Sequence, residues 1–175
     1  VLENVGTVTL DLTRTGITDT TLTVDYRTMD GTALNAVDYA GATNSVVFGV
    51  GVTSASIGIE IFNDQLLESD RDFFLQLLQL QLNQQASLGL RTNAQVTILN
   101  NDSSFDLTPT THVVAENIGS VAFTVNRTGY ASNSVDVNYS TADGLPPAGA
   151  QDGSDYNALA GTVTFAATET SKPLS

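Results

Sequence analysis

Carboxylates are the side chains in this sequence with chemistry to offer, and they gather where strands end. Glu3, Asp30, Asp64, Glu68, Asp70, Asp72 and Asp102 stand among turn-forming residues, as in Asp30-Gly31, Asn63-Asp64 and Asn100-Asn101-Asp102. A calcium ion takes about six to eight oxygens from carboxylates, amide side chains and backbone carbonyls. Loops at one end of a β-structure can draw such oxygens together from distant parts of a chain. The same residues have a second reading, because Asp stabilises turns by itself and needs no ion to do so. Spacing alone leaves both open.

Little else in the sequence is reactive. There is no cysteine, so disulfides and thiolate metal sites are excluded. His112 is the one histidine, too few for both a catalytic triad and a zinc centre. It lies in a Thr-rich segment and reads as a solvated loop or edge residue. No Gly-rich phosphate loop follows a strand and opens a helix. Paired carboxylates serve glycosidases, but here they sit in turns, and there is no tryptophan to line a sugar cleft. A protein without catalytic activity is expected. Three Asn-x-Ser/Thr sequons, at Asn101, Asn126 and Asn138, read as chance occurrences in a Thr- and Ser-rich chain.

The formal net charge is −13, and Lys172 is the only lysine. So negative a surface is a poor partner for nucleic acid or anionic lipid. No apolar run approaches the roughly 18 residues that a membrane helix needs, so no direct membrane insertion is expected. Partners consistent with this surface are metal cations, neighbouring repeats of the same protein, and protein or glycan ligands at a cell surface. The texture, rich in Thr, Ser, Asn and Gly, suits a secreted or cell-surface protein.

The elements that must position these carboxylates are strands. Apolar residues alternate with polar ones in Val8-Leu10-Leu12, Leu22-Val24-Tyr26, Ile57-Ile59-Ile61, Phe73-Leu75-Leu77 and Val96-Ile98. Val121-Phe123-Val125, Val135-Val137-Tyr139 and Val163-Phe165 continue the scheme. Short alternating strands between Gly-, Asp- and Asn-rich turns predict an antiparallel sandwich. In Leu75–Leu82 the alternation changes phase at Leu77-Leu78. A β-bulge accounts for that shift, and a short helix is the alternative. Tyr39 and Tyr156, each after an Asp, read as packing residues at a corner of the fold.

The chain also repeats itself. Glu3-Asn4-Val5-Gly6 and Arg14-Thr15-Gly16 return as Glu116-Asn117-Ile118-Gly119 and Arg127-Thr128-Gly129, at an offset of 113 residues. Asp30-Gly31 returns as Asp143-Gly144 at the same offset. Asp38-Tyr39 and Phe48 return as Asp155-Tyr156 and Phe165 at 117, after a short insertion that contains Pro146-Pro147. Such a period is domain-sized, well above the roughly 20–50 residues of a solenoid repeat. Two tandem immunoglobulin-like β-sandwiches are expected. The first spans 1–102, a linker and leading strand span 103–110 with Ser103-Ser104 as the linker, and 111–175 form a second, incomplete sandwich. Counterparts of residues 59–102 do not recur, which suggests a piece of a longer array.

Glu-Asn-x-Gly-x-Val, Arg-Thr-Gly, Asp-Gly-Thr-Ala, Asp-Tyr, Ile-x-Ile-x-x-Asp-x-x-x-Glu and Val-Thr-Ile-x-Asn-Asp resemble, in order, the motifs of the Calx-β domain. That module occurs in the regulatory region of sodium–calcium exchangers and in large extracellular adhesion proteins. The resemblance implies a seven-stranded immunoglobulin-like sandwich. It also implies a calcium site at one end, with Glu3, Asp30, Asp64, Glu68, Asn101 and Asp102 as ligands. In the second copy only Glu116 and Asp143 match, and Asp152 and Asp155 read as turn formers. Asn63, Gln65, Asn100 and Asn101 stand where the best exchanger site has aspartates. Neutral oxygens argue for weak affinity, about 10⁻⁴–10⁻³ M as in extracellular modules. The first function expected is a structural, adhesive module stiffened by calcium at the interdomain end. The alternatives are a regulatory calcium sensor of a transporter, and a filament subunit completed by strand addition from a neighbouring chain.

Overall fold

A computed structural model describes residues 1–80 and 86–174. It divides into two compact units, Val1–Asn101 and Asp102–Ser175. Among the described residues all regular structure is strand apart from two single 3₁₀ turns, Glu3–Val5 and Glu116–Ile118. Among the described residues no helix is long and apolar enough to cross a membrane.

The first unit contains β1 (Thr7–Thr13), β2 (Leu22–Asp30), β3 (Thr43–Phe48), β4 (Ser54–Glu60), β5 (Arg71–Leu80) and β6 (Asn93–Ile98). β1 pairs with β4, and a second sheet runs β3-β2-β5-β6, all antiparallel. Leu2 adds a parallel bridge to Leu99. Six strands are thus described, where the resemblance implied seven. The alternating apolar residues turn inward: Val8, Leu12, Leu22, Val24, Tyr26, Ile57, Ile59, Ile61, Phe73, Leu75, Val96 and Ile98 share one buried core. β5 bulges as its phase shift predicts. Val24 faces Leu80 and Tyr26 faces Leu77, so β5 carries one extra residue over that step. Gln81 and Leu82, the end of the ambiguous segment, lie outside the described residues.

The second unit contains β7 (Ser103–Thr108), β8 (Phe123–Gly129), β9 (Val135–Ser140), β10 (Ala160–Phe165) and β11 (Ser171–Leu174). One sheet runs β11-β8-β7 and the other pairs β10 with β9. The linker expected at Ser103-Ser104 is a correction: both residues open β7 and pair with Gly129 and Thr128. The ladder to β8 is the physical reason, and Arg127 adds to it: the residue is 4 % exposed, and its guanidinium bonds Ser103 Oγ at 3.1 Å and the carbonyls of Tyr130 at 2.6 Å and Asn133 at 2.9 Å. Arg14 bonds the carbonyls of Ile17 and Thr20 in the same way. The Arg-Thr-Gly motif is therefore a loop clamp built in both units.

The Glu-Asn-x-Gly motif has an equally local cause. Each copy forms one 3₁₀ turn, closed by a glycine at positive φ, Gly6 at 76° and Gly119 at 87°. An L side chain is disfavoured at that φ, so the turn delivers its glutamate at a fixed point just before the first strand of the motif.

Candidate metal centre

Glu3 is the innermost acidic group of the first unit, 7 % exposed. Its amide donates to Leu99 O at 3.0 Å, which places the turn against the end of β6. Its Oε1 accepts from the Asp64 amide at 3.1 Å. Asp64 in turn closes its own loop, with Oδ1 accepting from the Leu66 amide at 2.7 Å. Asp102 follows Asn101 by one peptide bond. One carboxylate oxygen from each of Glu3, Asp64 and Asp102 lies within 4.8 Å of the others. Burying a carboxylate is costly without compensation, and three so close repel one another. Asn101 Oδ1 is a buried amide oxygen with no hydrogen-bond partner. Glu3 Oε2 and Asp102 Oδ2 are also shielded from solvent. An all-oxygen donor set, with an unsatisfied amide oxygen one residue away in sequence, suits a hard cation of the calcium or magnesium class.

The other expected ligands are placed differently. Glu68 accepts from Arg71 Nη2 at 2.5 Å, and Asp38 accepts from Arg71 Nη1 at 2.6 Å. Arg71 opens β5 opposite Ile98, and its guanidinium sits between the two acids. Burial works to lower its pKa, but the hydrogen bond to Asp38 and the charges of Asp38, Glu68 and Asp64 outweigh burial and raise it. Asp70 accepts from the Asn100 amide at 3.1 Å. Asn63 bonds the Asp64 carbonyl at 2.9 Å, and the Asn100 amide group bonds the Leu66 carbonyl at 2.9 Å.

Asp30 is committed to the loop that follows it. Its Oδ1 accepts from the Asn35 amide at 2.9 Å and from the Tyr39 hydroxyl at 2.6 Å. The neighbouring glycine is required by proximity: a Cβ on Gly31 would stand 2.5 Å from Asp72 O. Asp72 anchors the same loop, taking Thr32 Oγ1 at 2.6 Å and Gln95 Nε2 at 2.6 Å, which holds its carboxyl below the usual range. The second unit copies the arrangement. Asp143 Oδ1 accepts from the Asp152 amide at 2.8 Å and the Tyr156 hydroxyl at 2.8 Å. Asp152 and Asp155 bond the amides of Ala158 and Gln151, as turn formers do. Glu116 is exposed on its 3₁₀ turn. Thus the structure brings Glu3, Asp64 and Asp102 together, whereas Asp30, Glu68 and Asp143 have other hydrogen-bond partners. Arg71, which the sequence reading did not single out, is the side chain that joins Asp38 to Glu68. His112 is exposed, with Nε2 at 3.0 Å from Ala122 O.

Burial, then the bond to Asp30, pushes the Tyr39 phenol up to about 12. A phenol raised in the folded state contributes stability that is complete below its ordinary value of about 10 and is lost as pH rises toward 12. Tyrosinate absorbance is therefore expected to show a late-ionising component that disappears in Tyr39→Phe. If the late component is unchanged in Tyr39→Phe, it does not arise from the Asp30–Tyr39 bond.

The model of the Calx-beta domain family matches residues 1–102 and again residues 100–175. Sodium/calcium exchanger 1 of Canis lupus familiaris is 34 % identical over 194 residues, covering 99 % of this chain and 20 % of that protein. Sodium/calcium exchanger 2 of Homo sapiens is 33 % identical over 189 residues, with the same coverage. The chain thus spans about a fifth of the length of these relatives. The crystal structure of calcium binding domain CBD12 of CALX1.1 superposes with a TM-score of 0.60 at 28 % identity, covering 99 % of this chain and 69 % of that one. The apo-form Calx CBD1 domain gives a TM-score of 0.54 at 31 % identity, covering 58 % of this chain and 88 % of that one.

Proposed function

This chain belongs to the Calx-beta family, and from that premise we propose that it is a non-catalytic, calcium-binding regulatory module of a larger protein related to sodium/calcium exchangers. The observation that carries the reading is the grouping of Glu3, Asp64 and Asp102, in a chain that is similar to exchangers over nearly all its length. These three residues would hold the ion, with Asn101 Oδ1 as a neutral donor. Bound calcium would supply the positive charge that offsets repulsion among the carboxylates.

The sequence alone put an adhesive, structural role first. The exchanger relatives favour the regulatory role instead, since a switch needs a site whose occupancy changes the protein. One observation still supports a stiffening element: Asn63, Gln65, Asn100 and Asn101 contribute no charge, and fewer charged ligands mean weaker binding.

Calorimetric titration of the whole chain with calcium separates the two. Binding is expected, and it should be lost in Asp64→Asn. An affinity of about 10⁻⁵ M or tighter fits a sensor, and one near 10⁻³ M fits an extracellular stiffener. Absence of any binding at millimolar calcium would sink both.

A further inference from the structure

We propose that this chain self-associates edge to edge, by antiparallel pairing of β3 with β3 of a second copy. The inference does not depend on the calcium reading above.

β3 is the outer strand of the sheet β3-β2-β5-β6, so one of its edges has no strand beside it. The ladder fixes which backbone groups lie on that edge. The Thr28 amide donates to Ala42 O at 2.7 Å, and the register continues through Tyr26↔Asn44 and Val24↔Val46. Hydrogen-bonded and non-bonded pairs alternate in an antiparallel ladder. Thr43, Ser45 and Val47 therefore turn their N–H and C=O groups away from β2. Ser45 agrees with this, because its amide is taken by the neighbouring Asn44 Oδ1 at 2.8 Å.

Open edges invite pairing, and proteins usually blunt them with lysine, proline or a bulge. β3 has none of these: it reads Thr-Asn-Ser-Val-Val-Phe and keeps an unbroken register with β2. No Asp, Glu, Lys or Arg occurs from Tyr39 to Ile59, the longest such run in the sequence. The next longest, Phe73 to Leu90, includes most of β5, a central strand paired on both sides, where burial accounts for it. Burial does not account for β3. Thr43, Asn44 and Ser45 are exposed, and Val47 is 57 % exposed. Asp25, opposite Ser45 on β2, is engaged by Ser45 Oγ at 2.6 Å.

Charge identifies the partner. At a net charge of −13, two copies repel wherever their acidic surfaces meet. The neutral edge is where they can approach, whereas a basic partner would gain nothing from it. Pairing centred on Ser45 sets Thr43 of each copy against Val47 of the other, a self-complementary two-fold contact. β10, the counterpart of β3, is equally uncharged, but Thr164 stands where β3 has Val47. The contact is therefore assigned to β3.

Sedimentation equilibrium of the full chain in chelator, from micromolar to millimolar concentration, tests this. A dimer is expected, and its fraction should rise between about 0.1 M and about 1 M salt, as the screening length falls from about 10 to about 3 Å. Val47→Lys should weaken association about tenfold or more, since each change enters a two-fold contact twice. Thr9→Lys alters the net charge equally at an exposed position of β1 and should match the parent. Amide exchange gives a reading that a folding defect does not mimic. Thr43 and Val47 amides should gain protection with concentration, while Asn44 and Val46 stay protected throughout. A chain that is monomeric at millimolar concentration in about 1 M salt overturns the inference. Dissociation as salt rises overturns the charge argument and the choice of partner with it. Association left intact by Val47→Lys, or weakened equally by Thr9→Lys, places the contact elsewhere and also overturns it.

Discussion

In about 10 mM calcium the first Calx-beta repeat, residues 1–102, is expected to melt roughly 10–20 °C higher than in chelator. At a dissociation constant of about 10⁻⁴ M that concentration is about 100-fold in excess, which stabilises the folded state by about 2.7 kcal/mol. For a domain of about 100 residues each kcal/mol raises the melting temperature by roughly 4–8 °C. The gain arises because the unfolded chain has no site: Glu3, Asp64 and Asp102 are 61 and 38 residues apart in sequence and meet only in the fold. Glu3→Gln or Asp64→Asn should remove most of the shift. Both should also be slightly more stable than the parent in chelator, because a like charge is gone. Asp30→Asn should keep most of the calcium shift, since its carboxylate is held by Tyr39 and the Asn35 amide. Scanning calorimetry of the whole chain reads all of this. Loss of the shift in Asp30→Asn but not in Asp64→Asn would move the site to the β2 end.

The strands and the tandem organisation were legible because their signals are local. Alternation over five to seven residues marks each strand, and the bulge in β5 announces itself as one lost beat at Leu77-Leu78. The repeat needed only self-comparison. The site was legible in part. Acidic turns located its region, and the family resemblance named Glu3, Asp64 and Asp102, but spacing could not say which carboxylates converge. Asp30 and Asp143 look like ligands in sequence because Asp-Gly marks a turn. Their partners, the Tyr39 and Tyr156 hydroxyls, lie nine and thirteen residues away across a loop. Arg71 was invisible for a related reason. Its sequence neighbours Asp70 and Asp72 bond to the Asn100 amide and to Thr32 and Gln95, while one of its own partners, Asp38, is 33 residues distant. Ser103-Ser104 misled because serine is common in linkers, and the pairing that makes them a strand is to Gly129 and Thr128, about 25 residues away.

The second large effect lies in the core beneath the site. Phe73 is fully buried, and its ring stacks on Tyr39 with centroids 4.1 Å apart and planes 11° from parallel. Phe73→Ala is expected to cost about 3–5 kcal/mol, the usual range when an aromatic ring leaves a cavity that its neighbours cannot fill. Collapse is hard here because the strand is paired on both edges, with Asp30 on one side and Val96 on the other. Urea unfolding followed by far-ultraviolet circular dichroism measures it, as the chain has no tryptophan to report by fluorescence. The damage should not stay local. Tyr39 would lose the ring it rests on, Asp30 would lose a fixed hydroxyl partner, and the loop carrying Asp38 would loosen around Arg71. Tyr39→Phe separates these steps, because it keeps the stack and removes only the hydroxyl, at a cost of about 1 kcal/mol. If Phe73→Ala costs no more than Tyr39→Phe, the stack is not what holds this end of the sandwich. If it costs several times more while the calcium shift survives, then packing sets the fold of the cleft and the Glu3–Asp64–Asp102 carboxylates set its affinity independently.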